Sequence, residues 1–161
     1  TGASIIQSIS IGKNSLVGAG ALVIRSVPEY QLVTGVPAKL SKTLKEWKKI
    51  RISCDTTIQD TIRVIDAEAM RIAIVVGPDD VLLGTVTDGD VRRGILRGVP
   101  LSETVEKVMN SQPVVASESE GGDKILALMK NRSLHQIPVV DKFHRVIRVE
   151  LLENLVNSKL L

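Results

Sequence analysis

Apolar residues recur along this chain at more than one spacing, and each spacing predicts a different kind of element. Over the first 27 residues the spacing is six. Ile5, Ile11, Val17 and Val23 recur at it, Gly12 and Gly18 each follow one of those positions, and Ile9, Ser15, Ala21 and Val27 stand four further on. Six fits neither a helix nor a two-sided strand. It suits a coil with three flat faces, each turning one aliphatic residue inward with small residues at the corners. Val33-Thr34-Gly35-Val36-Pro37-Ala38-Lys39 closes this pattern over residues 1–39. Leu40, Leu44, Trp47 and Ile50 then fall at helical spacing with lysines between them. That predicts a basic linker helix over 40–51, with Trp47 plugging the join between the parts on either side.

Residues 52–161 hold a longer repeat, with copies at 52–110 and 111–161. In the first copy, Thr57 to Ile62 opens a helix whose stripe is Ile58, Ile62 and Ile65. Two strands follow, Ile72-Ala73-Ile74-Val75-Val76 and Leu83-Gly84-Thr85-Val86-Thr87, and a second helix runs from Asp88 to Leu96. In the second copy the matching parts are a helix from Asp123 with stripe Ile125, Leu128 and Met129, strands over 136–140 and 146–149, and a helix over 150–156. Turn formers separate the paired strands: Gly77-Pro78-Asp79-Asp80 in one copy, Asp141-Lys142 in the other. A short strand precedes each first helix, around 51–53 and 114–116. The predicted fold is α+β, a β-α-β-β-α unit used twice behind a short coil.

The 161 residues are 43% hydrophobic and 24% charged, and no stretch approaches 18 uninterrupted apolar residues. A membrane span and a disordered chain are both excluded. The net charge of +3 is local. Residues 40–51 carry Lys42, Lys45, Lys48, Lys49 and Arg51 against Glu46, whereas 52–161 holds 13 basic and 16 acidic residues. With Trp47, Tyr30 and Phe143 the only aromatics, neither a basic folded face nor a set of stacking rings points to nucleic acid. Cys54 is the single cysteine, so no internal disulfide forms, which fits a reducing, cytoplasmic setting. No leader segment is visible at the N-terminus. His135 and His144 share no metal-ligand spacing with each other or with the cysteine, so no metal is expected. No nucleophilic triad, paired glycosidase carboxylates or phosphate-binding Gly-x-x-x-x-Gly-Lys loop is present, so no catalytic residue is assigned.

The candidate chemistry lies where the strand ending at Thr87 meets the next helix. A helix start has unpaired N–H groups and a partial positive charge, which favour an anion. The Thr87 hydroxyl can donate to a phosphate oxygen. The Asp90 carboxylate, in the first turn, suits the paired hydroxyls of a ribose, and Gly84 lets a flat ring approach the backbone. Thr87-x-x-Asp90 is equally a capping box, in which the two side chains serve only the helix itself. In the second copy, setting Val139-Val140 on Val75-Val76 and taking the following loop as three residues shorter puts Arg145 at the Gly84 position, Arg148 at Thr87 and Leu151 at Asp90. That half lacks a ribose clamp, while Arg148 reaches a phosphate held mainly by the first copy.

Two resemblances accompany these patterns. Ile11-Gly12-Lys13-Asn14-Ser15-Leu16-Val17-Gly18-Ala19-Gly20-Ala21, with Gly35-Val36-Pro37-Ala38, resembles the C-terminal end of a hexapeptide-repeat sugar acyltransferase, a left-handed β-helix. It implies an acetyl-CoA-dependent enzyme whose general-base histidine belongs to an earlier coil, so this chain is a remnant without acetyl transfer. The doubled unit, with Gly84-Thr85-Val86-Thr87-Asp88-Gly89-Asp90 at its junction, resembles a tandem CBS pair, or Bateman module. The segment Gly84 to Leu96 is closest to regulatory modules attached to sugar-phosphate nucleotidyltransferases. This implies a regulatory module binding AMP, ADP or ATP, forming a homodimer through its helices and serving an enzyme of sugar-nucleotide or surface-polysaccharide synthesis. It also implies that the adenine lies near Arg51, Ile52 and Ser53 and near Arg71, Ile72, Ala73 and Ile74.

Overall fold

The computed structural model of the chain describes residues 2–13, 15–28, 31–43 and 46–157. The backbone gathers into two compact units, Thr1–Glu46 and Trp47–Leu161.

In the first unit the period of six appears as parallel pairing between successive turns of chain. Strands β1 (Ser4–Ile5) and β3 (Leu22–Val23) pair in parallel, as do β2 (Leu16–Val17) and β4 (Gln31–Thr34). A parallel bridge joins Ile11 to Val27. The paired residues stand 16 to 18 apart in sequence. Val23, Val27 and Val33 form the interior, with Ile9, Ile11, Val17 and Ala38 packed on them. After a turn over 35–38 the chain returns antiparallel to β4 as β5 (Lys39–Thr43).

The helix expected over 40–51 does not form. Its first part is β5, and Glu46–Ile50 is a short 3-10 helix. Leu44 and Lys45 lie outside the described residues. The edge of β4 offers backbone partners that satisfy this segment more fully than an isolated helix does, and Ser41 and Thr43 are poor helix formers.

The second unit repeats one motif. Its first copy is β6 (Arg51–Ile52), α1 (Ile58–Ala67), β7 (Ile72–Val76), β8 (Leu82–Thr87) and α2 (Asp88–Leu96). Its second is β9 (Ala116–Ser117), α3 (Gly122–Asn131), β10 (Gln136–Val140), β11 (Val146–Leu151) and α4 (Leu152–Asn157). The sheets run β6-β7-β8 and β9-β10-β11, with the first pair parallel and the second antiparallel in each. The helices sit where their stripes predict. Ile58 and Ile65 of α1 are buried, and so are Ile125, Leu126 and Met129 of α3. Thr57 caps α1 by accepting the Asp60 N–H at 3.1 Å.

β7 is apolar throughout because both of its faces are covered. Ala73 and Val75 face a core with Ile58, Ile65, Val86, Val91 and Val105. Ile72, Ile74 and Val76 face the other way, into a core that includes Leu82, Val140, Val146 and Val149 and so joins the two copies. At the hairpin ends the Leu82 N–H donates to the His144 carbonyl at 3.0 Å. Trp47 belongs to this joint. It lies in the shared core, 2% exposed, and its indole Nε1–H donates to the Ile147 carbonyl at 3.1 Å. Its ring therefore seals the two copies of one unit together. Among the described residues no helix is long and apolar enough to cross a membrane.

Replacing Trp47 with Ala should cost about 3–5 kcal/mol, as for other large aromatics removed from a core. Trp47→Phe should cost less, chiefly the hydrogen bond to Ile147. Urea denaturation of the three proteins checks both.

Candidate functional site

A cleft of about 460 Å³ opens at the end of β8, walled by both copies. The first copy supplies Arg71, Thr87, Asp88, Gly89, Asp90 and Arg93. Asn110, Pro113 and Val114 come from the connecting segment, and Ser133, Leu134, His135 and Gln136 from the second copy. β8 stops at Thr87, opposite Ile72 in the ladder, and α2 starts at the next residue, so the helix N-terminus opens on the cleft.

Both readings of Thr87-x-x-Asp90 can now be weighed. The capping box forms. Asp90 Oδ2 accepts the Thr87 backbone N–H and the Thr87 hydroxyl, each at 2.8 Å, and the Asp90 N–H donates to Thr87 Oγ1 at 3.4 Å. Asp90 Oδ1 accepts from Arg93 Nη2 at 2.6 Å. The Asp90 side chain is only 13% exposed, and these partners take the place of water on its oxygens. The box satisfies the helix start without closing it. The first-turn N–H groups at Asp88 and Gly89 are not served by it, and a carboxylate offers about four lone-pair sites, of which three are used.

Of the residues singled out from the sequence, the cleft brings together Thr87, Asp90, Arg71 and Ile72. Gly84 has a different task. A Cβ there would meet the Asn110 carbonyl oxygen at 2.8 Å and the Met109 sulfur at 3.0 Å, so the approach it permits is of the protein's own connecting segment. Thr85 and Asn110 exchange both backbone hydrogen bonds at that point, at 3.0 and 2.9 Å. Ala73 is wholly buried beneath the sheet and offers no surface to a ligand. Ile52 is buried and pairs with Val75, near the far end of β7 from Thr87. With Ser53 it lines a separate recess beside residues 76–80, where Ser53 donates to Asp55. Arg148 does not line the cleft. It pairs with Glu150 along β11 at 2.8 Å.

The equivalence assumed between the copies is also corrected. In the ladders Val75 opposes Gly84 as Val139 opposes Arg148, and Ile72 opposes Thr87 as Gln136 opposes Leu151. The connecting loops are equal in length, so no three-residue shortening exists. Arg148 therefore stands at the Gly84 position and Leu151 at Thr87, and Asn154 takes the place of Asp90. Asn154 was missed because the turn around Asp141 was read as short. The unchanged spacing from Val139-Val140 to the paired strand would have revealed it. The equivalent recess of about 480 Å³ is lined by Leu151, Leu152 and Glu153 where the first cleft has Thr87, Asp88 and Gly89. Among the described residues no group of three or more His, Cys, Asp or Glu is placed to hold a metal ion.

The family model for the CBS domain matches residues 47–97 and 105–149. The solved CBS domain pair of protein MJ0100, in complex with 5′-methylthioadenosine and S-adenosyl-L-methionine, has a TM-score of 0.59 at 20% identity, covering 66% of this chain and 84% of that one. CBSX2 in complex with AMP has a TM-score of 0.59 at 19% identity, covering 68% of this chain and 85% of that one. Over 51 residues the chain is 37% identical to the serine acetyltransferase of Bacillus subtilis (strain 168), covering 32% of this chain and 23% of that protein. The chain spans about a quarter of the length of the first curated relatives it matches.

Gly84→Ala should press on the Asn110 carbonyl, open the Thr85–Asn110 pairing and lower stability by about 1–3 kcal/mol. Thermal denaturation and amide exchange at residues 85 and 110 check this.

Proposed function

The chain belongs to the CBS-domain family, and we propose that its tandem pair is a regulatory module binding one adenine nucleotide, AMP, ADP or ATP, in the Thr87–Asp90 cleft. The observation that carries this is the juxtaposition of a mostly buried carboxylate, Asp90, with open first-turn N–H groups in a cleft of about 460 Å³. That volume falls in the range of small-molecule sites. A ribose presents two adjacent hydroxyls that suit the carboxylate. A phosphate suits the N–H groups of Asp88 and Gly89, with Arg71 on the same wall. The AMP complex of CBSX2 and the adenosyl ligands of MJ0100 support the purine.

The equivalent recess has Leu151 at the Thr87 position and Glu153 at Gly89, so it lacks that hydroxyl and sets a carboxylate against a phosphate, although Arg71 and His135 also line it. One nucleotide therefore binds per chain. Contacts from both copies let its occupancy change the relation between them, which is how a binding event reaches an attached or partnered enzyme. We take that enzyme to belong to sugar-nucleotide or surface-polysaccharide synthesis, on the likeness of residues 84–96, and the setting to be the cytoplasm, where adenine nucleotides abound. Ile95 and Leu96, 51% and 81% exposed on α2, supply the apolar face for a homodimer through the helices.

A second reading concerns residues 1–43 alone. The parallel turn-on-turn pairing and the likeness to serine acetyltransferase favour the end of a left-handed β-helix acyltransferase. That reading has the first unit bind acetyl-CoA when completed by further coils.

Calorimetric titration of the intact chain should give one site for AMP, ADP or ATP. Asp90→Ala should weaken it about 10- to 100-fold, equal to about 1.4–2.7 kcal/mol, at a temperature where the variant remains folded. Unchanged affinity in that variant would remove Asp90 from the site. In sedimentation, wild type should run as a dimer and a Leu96→Glu variant as a monomer.

A further inference from the structure

Arg93 is bound to the same carboxylate that the nucleotide reading assigns to the ribose. Its Nη2 lies 2.6 Å from Asp90 Oδ1, and its side chain is 66% exposed while that of Asp90 is 13% exposed. The guanidinium is also folded back across the first turn of α2. A Cβ placed at Gly89 would come within 3.3 Å of Arg93 Nη1 and 3.6 Å of Thr87 Oγ1. The glycine therefore leaves the room in which the arginine, the threonine hydroxyl and the first-turn N–H groups converge. The same turn in the second copy carries Glu153 at the glycine position.

We propose that Arg93 is a latch that selects phosphorylated nucleosides. Resting on the nucleotide reading of the cleft, it works as follows. Without ligand, Arg93 neutralises Asp90. When a ribose arrives, its hydroxyls take Asp90 Oδ1 and release the guanidinium, so that charge-assisted hydrogen bonds from the sugar replace the ion pair on that oxygen. The freed guanidinium stands beside the N–H groups of Asp88 and Gly89, where it binds the phosphate with a charge-assisted, forked pair of hydrogen bonds. A nucleoside without phosphate also releases Arg93 but leaves it no anion to bind. Arg93 thus favours AMP over adenosine by more than the helix start alone does.

The test is titration of AMP and adenosine into intact wild type, Arg93→Ala and Arg93→Lys, with thermal unfolding of each as the control for folding. In Arg93→Ala the preference for AMP over adenosine should fall about tenfold, through weaker AMP binding with adenosine binding unchanged or tighter. Arg93→Lys should keep part of the preference, since the charge remains and the planar fork is lost. If Arg93→Ala binds AMP with the wild-type preference, or loses AMP and adenosine equally, the latch is overturned while the nucleotide reading stands. If wild type binds neither compound, the nucleotide reading fails and the latch fails with it.

Discussion

The junction between β8 and α2 rests on a carboxylate that is largely out of water and hydrogen-bonded on both oxygens. Asp90 turns one oxygen to Thr87 and the other to Arg93. The first contact fixes where the strand ends and the helix begins. The second folds Arg93 over Gly89. Remove the carboxylate and the capping box loses its reciprocal half and the arginine its anchor, while Thr87 Oγ1 still accepts the Asp90 N–H. Capping and binding are therefore not alternatives at this position. The side chain that seals the helix is held by that duty in the orientation a ligand would need.

The two copies show how far one backbone can be put to different ends. Their ladders match residue for residue, with the same irregularity between the last two pairs of each. Yet Thr87, Asp88 and Gly89 in one become Leu151, Leu152 and Glu153 in the other. Leu152 and Leu155 pack on the second copy's own core, so that junction is part of its hydrophobic interior. In the first copy the position of Leu155 is Val91, buried in its core, whereas that of Leu152 is Asp88, which is exposed.

Much of the fold was legible because it follows from periodicity. The stripes Ile58–Ile62–Ile65 and Ile125–Leu128–Met129, the unbroken run of β7 and the doubled order of elements all reflect which faces are covered. The misreadings share a cause, which is that they depend on partners remote in sequence. Lys39–Thr43 pairs with β4, a tertiary choice that outweighs the helical spacing of Leu40, Leu44 and Trp47. Gly84 was read as room for a ligand, whereas the space belongs to Asn110. The shift that misplaced Arg148 and Leu151 came from judging a loop by its composition. Asp79 and Asp80 both take left-handed backbone conformations, and on the other side His144 does, so two dissimilar sequences make turns of equal length. Of the candidate site, Thr87 and Asp90 were visible because their chemistry is local to one junction, and Arg71 and Ile72 only through the likeness to a tandem CBS pair. The walls from the connecting segment and the second copy were not, because nothing in one stretch of sequence announces what another lays over it.

The connecting segment gives the cleft its mechanical importance. Asn110 is tied to Thr85 by two backbone hydrogen bonds at the one place where Gly84 lets it approach, and Pro113 and Val114 then line the cleft before the chain enters β9. A ligand against Thr87 and Asp90 thus also touches the strap that leads into the second copy, and it faces residues 133–136 beyond. Ile72, Ile74, Val140 and Val149 share one core that joins the two copies behind the cleft, and a close-packed core resists small continuous shifts. The strength of any coupling through the cleft equals the difference in ligand contact between two arrangements of the copies. This cleft draws its lining from both copies and from the segment that joins them, so a ligand's contacts there depend directly on how the copies are set against each other.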